Sequence, residues 1–337
     1  MHTLIDEVFR KKFSTGRDKG REYQEEKDDS AVIPSVSQET ELAFTTDSYV
    51  INPIFFPGGD IGKLAVCGTI NDLAVVGAEP RYMACGFIIE EGLGIDVLEK
   101  IAGSMAEISG RENLRIVTGD IKVVEKGSCD KIFINTSGIG VRNKKVNFSK
   151  KKIVPGDKIL INGSIGEHGI AILVERGEFH FHADIVSDCA PLSGLTGEIC
   201  NLHTKVLESG KTPPVKFMRD PTRGGFSTTL NEIVEETNFG IVINEKDIPV
   251  REEVKAACEI LGLDPLLLAN EGKVVVIIDK NHAEDAIEIM RSHPLGTEAK
   301  IVGEVIDEPA EKVLMKTKIG GRRIIEMMAG DQLPRIC

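Results

Sequence analysis

The chain has 337 residues, of which 41% are hydrophobic and 28% are charged, a balance typical of a globular protein long enough for two domains. The formal net charge is −12 and the longest lysine run is Lys150–Lys152, so nucleic acid is disfavoured as the main partner. No apolar run approaches the roughly 20 residues that a membrane-spanning helix needs.

Seven cysteines are scattered along the chain without a CxxC pair. This pattern argues against a disulfide framework or a structural zinc site and favours a reducing compartment. The first residues, Met1–Lys12, lack the apolar core and cleavage site of a signal peptide. The sequence therefore predicts a cytoplasmic protein.

Strands and helices alternate from residue 31 onward. The N-terminal segment, 1–30, is polar and charged, and its one apolar patch predicts a short helix followed by a loop. The region 31–150 is predicted to contain strands at 42–46, 82–89, 114–118 and 131–139 and helices at 62–78 and 95–110.

A second region, 151–310, follows a basic linker bounded by Pro and Gly. Its hydrophobic pattern predicts strands at 158–162, 215–218, 240–244, 273–279 and 299–306 and helices at 167–176, 197–209, 219–237, 251–261 and 282–292. The last segment, 311–337, contains two strand-like runs and a tail. This alternation is the mark of an α/β or α+β fold.

Three aspartates share one sequence context. Asp47, Asp120 and Asp220 each follow a short apolar run, so each is predicted at the C-terminal end of a strand, the edge where ligand sites of α/β sheets gather. Asp72 instead interrupts an apolar helix, where an unpaired charge is costly. Aspartate after a strand is also a common turn former or helix N-cap, and that alternative stays open.

If these four carboxylates converge, cations must offset their repulsion. Two unit charges 4 Å apart interact by about 4 kcal/mol at an effective dielectric constant near 20. A set of oxygen ligands favours Mg²⁺, which binds through a few carboxylates together with water and phosphate oxygens. Asp29, which precedes the first predicted strand, is a further candidate ligand.

The segment 219–225, Arg-Asp-Pro-Thr-Arg-Gly-Gly, is a candidate phosphate-binding turn. It combines the guanidinium of Arg223 with two permissive glycines, Gly224 and Gly225, where a strand is predicted to lead into a helix. Such a turn offers backbone N–H groups and a helix dipole to an anion. Pro221 is expected in the first helical turn. The alternative is an ordinary helix start.

Two further residues are candidates for chemistry. Lys122 lies two residues after Asp120, and in an extended chain both side chains face the same side. Lys122 is therefore either a phosphate ligand or an ordinary surface lysine. Glu271 lies in a loop before a predicted strand, where it is either a general base or an ordinary loop carboxylate.

The last seven residues, Asp331–Cys337, carry no mark of a stable element. Pro334 disfavours helical geometry at Leu333. A fully extended tail from Gly330 to Cys337 reaches roughly 23 to 25 Å. The stretch is either an incidental end or an arm that carries one nucleophile, the Cys337 thiol. It does not match the prenylation motif, which needs the cysteine four places from the end.

Five motifs occur along the chain in a fixed order: Asp28-Asp29-Ser-Ala-Val, Thr46-Asp47-Ser, Asn71-Asp72-Leu-Ala, Thr118-Gly119-Asp120 and Asp220-Pro-Thr-Arg-Gly-Gly. Together they resemble the superfamily of aminoimidazole ribonucleotide (AIR) synthetase, thiamine monophosphate kinase and selenide water dikinase. The ending Pro334-Arg335-Ile336-Cys337 is similar to the signature of the HypE family of hydrogenase maturation proteins. The resemblance covers essentially the whole chain, and only the tail distinguishes the family within the superfamily.

The resemblance implies a two-domain AIR synthetase (PurM)-like fold of the α/β (α+β) class. Residues 31–150 would form an N-terminal sheet or barrel domain that binds ATP and pairs with its twin in a homodimer. Residues 151–310 would form a C-terminal α/β domain, and residues 311–337 would add two strands and a flexible tail.

The resemblance also implies a reaction. A partner carbamoyltransferase, HypF, would carbamoylate Cys337, and the protein would use ATP to dehydrate the thiocarboxamide to a thiocyanate. The cyano group would then pass to iron held by HypC and HypD, to become a cyanide ligand of [NiFe] hydrogenase.

The candidate residues take roles in this scheme. Cys337 would carry the carbamoyl and cyano groups, Lys122 would neutralise phosphate charge, and Glu271 would assist proton removal. ATP and its phosphates would be contacted by Asp47, Asp72, Asp120, Lys122, Arg223, Gly224 and Gly225. The metal, Mg²⁺, would be held by Asp29, Asp47, Asp72, Asp120 and Asp220.

Two alternatives stay open. A small-molecule kinase or synthetase, such as thiamine monophosphate kinase, would share the ATP site without needing Cys337. A non-catalytic scaffold would use the tail only as a docking peptide. Selenide water dikinase is disfavoured, because the first 30 residues contain no cysteine for selenium chemistry.

Overall fold

The computed structural model describes residues 30–34, 37–177, 184–328 and 335–336. Within these ranges the chain forms two successive regions, each built on one large sheet. Among the helices of this part of the chain, none combines the length and apolar character that crossing a membrane requires.

The first region is a five-stranded sheet with strand order β1-β2-β7-β5-β6, in which β5 and β6 are parallel and the other neighbours antiparallel. One helix, α1, packs across β2, β7 and β5, and a second, α2, packs on α1. The elements are β1 (Ala31–Pro34), β2 (Thr40–Tyr49), the hairpin β3 (Phe55–Phe56) and β4 (Gly59–Asp60), α1 (Ile61–Val75), β5 (Ala78–Glu90), α2 (Ile95–Arg111), β6 (Arg115–Val124) and β7 (Ile132–Asn143).

Helix α1 is buried on nearly every side because it lies between the first sheet and the second region. A helix that is apolar all round is typical of such a position. Asp60 caps its N-terminus by accepting hydrogen bonds from the N–H groups of Gly62, at 2.7 Å, and Lys63, at 3.0 Å. Among its buried polar side chains, Thr69 hydrogen-bonds to Thr136 of the first sheet and Asn71 reaches the second region.

The second region is a seven-stranded sheet with strand order β14-β13-β10-β12-β8-β11-β9, in which only β10 and β13 pair in parallel among the described strands. Its elements are β8 (Lys158–Ile161), α3 (Glu167–Glu175), α4 (Ser193–Glu208), β9 (Val215–Arg219), α5 (Gly225–Val234), β10 (Gly240–Asn244), α6 (Glu252–Leu261), β11 (Val275–Ile278), α7 (Ala283–Ser292), β12 (Lys300–Ile306), β13 (Val313–Lys316) and β14 (Arg322–Ile325).

Strand β11 shows why this sheet carries helices on both faces. Val275 and Ile277 pack with residues of α5, whereas Val276 and Ile278 pack with residues of α4 and α7. All four side chains are buried. A continuous apolar run, instead of an alternating one, is the pattern expected for a strand covered on both sides.

Most predicted elements are present within a few residues of their predicted bounds, but the strands β2, β5, β6 and β7 are all longer than predicted, and in two of them the extension includes a candidate site residue. Asp47 and Asp120 lie inside β2 and β6, not after their ends. The strand β2 continues because Tyr49 is a further inward-facing residue, buried at 2% exposure. The strand β6 continues through Lys122 to Val124 because it stays paired with β5.

The predicted start of the helix at 219–225 is also wrong. Helix α5 begins at Gly225, so Pro221 lies in the loop before it. Gly224 and Gly225 have φ angles of +79° and +63°, a left-handed geometry that interrupts a right-handed helix. The helix therefore cannot begin before these glycines.

Asn71 in α1 joins the two regions. Its side-chain amide donates to the carbonyls of Ala190 and Glu271, both at 3.2 Å, and its Oδ1 accepts from the N–H of Leu192 at 2.8 Å. The side chain is 1% exposed, so removal of the amide would leave the N–H of Leu192 without this buried acceptor and would take one donor from each of the two carbonyls.

We expect Asn71→Ala to lower the free energy of unfolding by about 2–4 kcal/mol, because leaving a buried polar group unpaired costs about 1–3 kcal/mol. Asn201→Ala, at an exposed position of α4, serves as the control and should change it by less than about 0.5 kcal/mol. Urea titration followed by circular dichroism measures both. Equal losses in the two variants would show that the Asn71 amide does not join the regions.

Candidate active site

The junction between the two regions gathers five carboxylates: Asp47 of β2, Asp72 of α1, and Asp188, Asp220 and Glu271 of loops in the second region. The buried hydroxyl of Tyr49 lies close enough to Asp47, Asp72 and Glu271 that burial together with their charges raises its pKa well above 10.0. The carboxyl of Glu271 is in turn affected by the charges of Asp47, Asp188 and Asp220. Residues far apart in sequence therefore share one cleft.

Asp47 and Asp72 form the first-region side of the cleft. Partial burial raises the pKa of Asp47, although the nearby Tyr49 hydroxyl and a hydrogen bond from the N–H of Ser48 at 2.7 Å oppose the shift. Asp72 accepts a hydrogen bond at Oδ2 from the hydroxyl of Thr45 at 2.6 Å. Both carboxylates are hard oxygen donors at a site where a cation would relieve their mutual repulsion.

Within the described ranges, no three His, Cys, Asp or Glu side chains are arranged to hold a metal ion by themselves. Mg²⁺ is usually bound by one or two carboxylates together with water and substrate phosphates, not by an all-protein cage. Asp47 and Asp72 fit that mode of binding.

Asp220 follows β9 as predicted and is buried at 6% exposure. The loop that contains it is fastened to the Glu271 loop, since Asn270 donates to the carbonyl of Pro221 from its backbone N–H at 3.2 Å and from its side-chain amide at 2.9 Å. The two loops hold Asp220 beside Glu271.

Glu271 is buried at 3% exposure, and its Oε1 has no hydrogen-bond partner among the described residues. Burial is the main cause that raises the pKa of Glu271 well above 4.5, and the nearby Cys189, Asp188, Asp220 and Asp47 raise it further. A carboxyl with a strongly raised pKa in a cleft is a candidate for proton transfer.

The backbone around Glu271 is held by Asp188. The N–H groups of Glu271 and Gly272 each donate to one oxygen of the Asp188 carboxylate, both at 3.1 Å. A Cβ at Gly272 would lie 2.0 Å from the carbonyl oxygen of Asp188, so only glycine permits this approach. The fixed backbone fixes the point from which the Glu271 side chain enters the cleft.

Lys273 neutralises the second-region side of the cleft. Its ammonium lies 3.1 Å from Asp188 and 3.3 Å from Glu167, and Arg251 contacts Glu167 at 2.6 Å. Burial alone would raise the pKa of Asp188, but the Lys273 ammonium and backbone donors outweigh it and hold that pKa below 3.8. Asp188 is therefore a charged, paired carboxylate, unlike Glu271.

His168 links this side of the cleft to the tail. Its Nε2 lies 2.8 Å from the carbonyl oxygen of Ile336, and its Nδ1 lies 2.8 Å from the hydroxyl of Ser187. A carbonyl can only accept, so Nε2 carries the proton. Burial lowers the pKa of His168 despite the opposing influence of Asp188, so the ring is neutral and Nδ1 accepts from Ser187.

Arg335 and Ile336, the described part of the tail, are docked against the first region and α3. Ile336 is 4% exposed. The carbonyl of Arg335 accepts from Arg176 at 2.7 Å and from the N–H of Asn52 at 3.3 Å. The last predicted site residue, Cys337, lies outside the described residues, as does Asp29 at the other end of the chain.

Asp120 and Lys122 are not brought into this cleft within one chain. They form an exposed ion pair at 2.5 Å, which confirms that they face the same side. Across the paired strands, Asp120 is aligned with Gly86, Asn135 and Ser48. Ser48 is the neighbour of Asp47, and neighbouring residues of a strand face opposite sides. The side chain of Asp120 therefore points to the opposite face of the sheet from Asp47. It lies three strands from β2, roughly 14 Å at about 4.8 Å per strand.

The two glycines predicted to cradle phosphate have an internal packing role. A Cβ at Gly225 would lie 2.4 Å from the carbonyl oxygen of Leu268, and a Cβ at Gly224 would lie 2.3 Å from the hydroxyl of Thr228. The side chain of Arg223, one residue earlier, is exposed. Close packing on the loop before Glu271 is therefore a sufficient reason for Gly225, and close packing on the Thr228 side chain of α5 is a sufficient reason for Gly224.

Sequence reasoning missed several residues of the cleft: Asn71 as the link between the regions, and His168, Asp188 and Lys273 as groups of the site. The one signal for Lys273 was a lysine at the start of an apolar strand. His168 has no metal-ligand spacing around it in the sequence, and its contacts, to Ser187 and Ile336, are visible only in three dimensions.

Two family models match this chain. The N-terminal domain of AIR synthase related proteins matches residues 27–142, and the C-terminal domain matches residues 154–316. A carbamoyl dehydratase HypE from Rhodobacter capsulatus is 44% identical over 337 residues, which covers 100% of this chain and 95% of the relative. The chain belongs to the HypE family. It has the two-domain AIR synthetase-like fold that the sequence predicted.

Two solved HypE structures are similar to this chain over nearly its full length. A HypE–HypF complex has a TM-score of 0.85 and 46% identity, covering 96% of this chain and 99% of its own. A HypE in complex with ATP has a TM-score of 0.81 and 42% identity, covering 100% and 96%.

A thiamine monophosphate kinase from Aquifex aeolicus has a TM-score of 0.63 at 16% identity, covering 95% of this chain and 97% of its own. This likeness shows a shared fold alone.

We expect Lys273→Met to lower the free energy of unfolding by about 3–5 kcal/mol at pH 7, because it leaves the buried Asp188 carboxylate without its cationic partner. The loss should shrink toward pH 4. In the wild type, the stability that comes from the depressed pKa of Asp188 is present above pH 3.8 and lost below it. In the variant, Asp188 without Lys273 takes up a proton at higher pH.

Lys255→Met is the control, since Lys255 pairs with the exposed Glu252, and should cost less than about 1 kcal/mol. Denaturant titrations at pH 7 and pH 4 measure both variants. A loss for Lys273→Met that does not depend on pH would contradict the assigned charge of Asp188.

Proposed function

We propose that this chain is an ATP-dependent carbamoyl dehydratase that acts on its own Cys337, as a step in [NiFe] hydrogenase maturation. The observation that carries the proposal is the docking of Ile336 at the cleft, where its carbonyl accepts from His168. Cys337 is joined to Ile336 by one peptide unit, about 3.8 Å between Cα atoms. Membership of the HypE family supports the same conclusion.

The reaction converts an S-carbamoyl group and ATP into a thiocyanate, ADP, phosphate and a proton. ATP phosphorylates the carbamoyl oxygen, which leaves as phosphate, and the two N–H protons depart as the C≡N bond forms. Because phosphoryl transfer depends on positioning and on stabilising charge, the chain must hold the sulfur, the nucleotide and a proton acceptor together.

Glu271 is the proposed proton acceptor. Burial and neighbouring carboxylates raise the pKa of Glu271 above 4.5, which makes its carboxylate a stronger base than an exposed one. Asp188 cannot share this role, because Lys273 and two backbone N–H groups occupy its oxygens. The cleft thus separates a structural carboxylate from a reactive one.

Asp47, Asp72 and Asp220 are proposed to hold Mg²⁺ and the nucleotide phosphates, with Asp29 as a further ligand. When bound, Mg²⁺ would neutralise charge on the phosphates. Arg223, Gly224 and Gly225 remain candidates for phosphate contacts, as the exposed guanidinium and the N-terminal turn of α5.

Asp120 and Lys122 are proposed to serve a site that a second copy completes. Strand β6 is exposed on both faces and carries Ile121 at 60% and Val123 at 67% exposure. Covering such an apolar strand is a reason to form a homodimer, and the resemblance to the AIR synthetase superfamily implies one. Lys122 would then neutralise phosphate charge.

The proposed partners follow from the reaction. A HypF-type carbamoyltransferase would load Cys337, and an iron scaffold of HypC and HypD would receive the cyano group. Neither nucleic acid nor a membrane has a part in the scheme. We place the reaction in the cytoplasm, where the six described cysteines, all free thiols, would remain reduced.

Removal of Cys337 should abolish the reaction while leaving ATP binding intact. Wild-type protein incubated with the carbamoyltransferase, carbamoyl phosphate and ATP should gain one carbamoyl group and then lose one water by intact mass. A chain ending at Ile336 should do neither, whereas Cys200→Ser should behave as wild type. Turnover of thiamine monophosphate by the shortened chain would favour the kinase alternative, and partner binding without ATP hydrolysis would favour the scaffold.

Glu271→Gln should become carbamoylated at the wild-type rate but should lose water about 10²–10⁴-fold more slowly, the usual contribution of a positioned general base. The control is Glu298→Gln, at an exposed position. Single-turnover dehydration followed by mass spectrometry separates the two steps. Undiminished cyanation by Glu271→Gln would remove this residue from the mechanism.

A further inference from the structure

We propose that the cleft contains a peptide-binding groove that recognises Arg335 and Ile336 at two separate subsites. Such a groove also accepts a carboxy-terminal Arg-Ile-Cys segment that is supplied as a separate peptide. The inference rests on the proposed function, since the peptide would be the substrate of the same reaction. The inference also states that the two residues before the cysteine determine its recognition as a substrate.

The first subsite binds Ile336. Its side chain belongs to a buried apolar cluster that also contains Ile51, Phe56 and Ile172, so residues of the first region and of α3 both contribute. Its carbonyl is held by His168 at 2.8 Å. An aliphatic side chain fills this subsite, whereas an acidic one would be buried there without a partner.

The second subsite binds Arg335. Its guanidinium pairs with Asp130 in the loop between β6 and β7, donates from Nε to the carbonyl of Val50 at 3.1 Å, and lies 5.8 Å from the centre of the Phe133 ring. An ion pair, a hydrogen bond and a cation–π contact together select arginine. The subsite is built wholly from the first region.

The backbone of the segment is also recognised. The carbonyl of Arg335 accepts from Arg176, which is itself fixed because its Nε donates to the carbonyl of Asn52 at 2.8 Å. Arg335 has a φ of +58°, which is uncommon for a residue with a side chain. The groove therefore holds a bent backbone and sets the direction in which the next residue continues.

None of these contacts needs the covalent link between the tail and the rest of the chain. The groups that bind Arg335 and Ile336 lie between residues 50 and 176. The link raises the local concentration of the segment, to the millimolar range for a flexible tether. A free peptide at millimolar concentration should therefore occupy the groove when the chain's own tail is displaced.

The test uses the full-length chain with Arg335→Ala, Ile336→Asn and Cys337→Ser, so that its own tail neither fills the two subsites nor reacts. The probes are synthetic heptapeptides with the sequence of residues 331–337, S-carbamoylated on the cysteine, and the readout is ATP-dependent loss of water by mass. We expect turnover of the natural peptide and at least a tenfold loss when its Arg is replaced by Glu or its Ile by Asp.

Adding Asp130→Arg to this protein should reverse the preference, so that the peptide with Glu in place of Arg becomes the better substrate. Asp130 has a side chain 53% exposed, so its replacement should not disturb folding. Glu125→Arg, an exposed position of the same loop, is the matched control and should leave the preference unchanged.

The outcomes separate the two claims. If wild-type protein does not dehydrate its own carbamoylated tail, the proposed function fails. If it does, but the natural peptide is not converted at millimolar concentration or all peptides are converted equally, the groove does not read these residues. Failure of Asp130→Arg to shift the preference would overturn the second subsite.

Discussion

Several carboxylates lie in one cleft between the two regions, and their mutual repulsion must be offset for the regions to pack together. Each carboxylate has a different environment. Asp188 is charged, and Lys273 and backbone donors stabilise it. Glu271 is buried beside it with its pKa raised. Asp47 and Asp72, nearer the surface, are the pair that a cation would stabilise. In the proposed function, the same acidic cluster supplies a structural charge, a proton acceptor and a cation site.

This separation explains why the junction is rigid where it meets Glu271. Asn71 of α1 hydrogen-bonds to the carbonyl of Glu271, and Asp188 binds its N–H. The backbone is therefore held from both regions at once, while the carboxyl has no hydrogen bond at Oε1 among the described residues. A backbone held in place and a carboxyl oxygen without a hydrogen bond both suit the proton transfer that we propose for Glu271.

The tail gives the cleft an unusual substrate, one that is part of the same chain. Arg335 and Ile336 are docked by side-chain and carbonyl contacts. In the proposed function a partner carbamoyltransferase loads Cys337, so the docked tail would have to be released for that step, and an equilibrium between docked and released tail would order the two steps. Docking by a few hydrogen bonds and one ion pair is compatible with such release.

The sequence by itself determined the two-region α/β organisation, most of the strands and helices, and the aspartates and Glu271 as candidates, because periodicity and local turn chemistry are carried by neighbouring residues. The motifs also pointed to the superfamily, and the last four residues to the family. Only the tertiary structure placed Asp120 and Lys122 on the opposite face of the sheet from Asp47, because strand pairing, not sequence spacing, fixes which face a residue occupies. It alone joined His168 to Ile336, and Lys273 to Asp188, since residues this far apart in sequence become neighbours only when the two regions pack together.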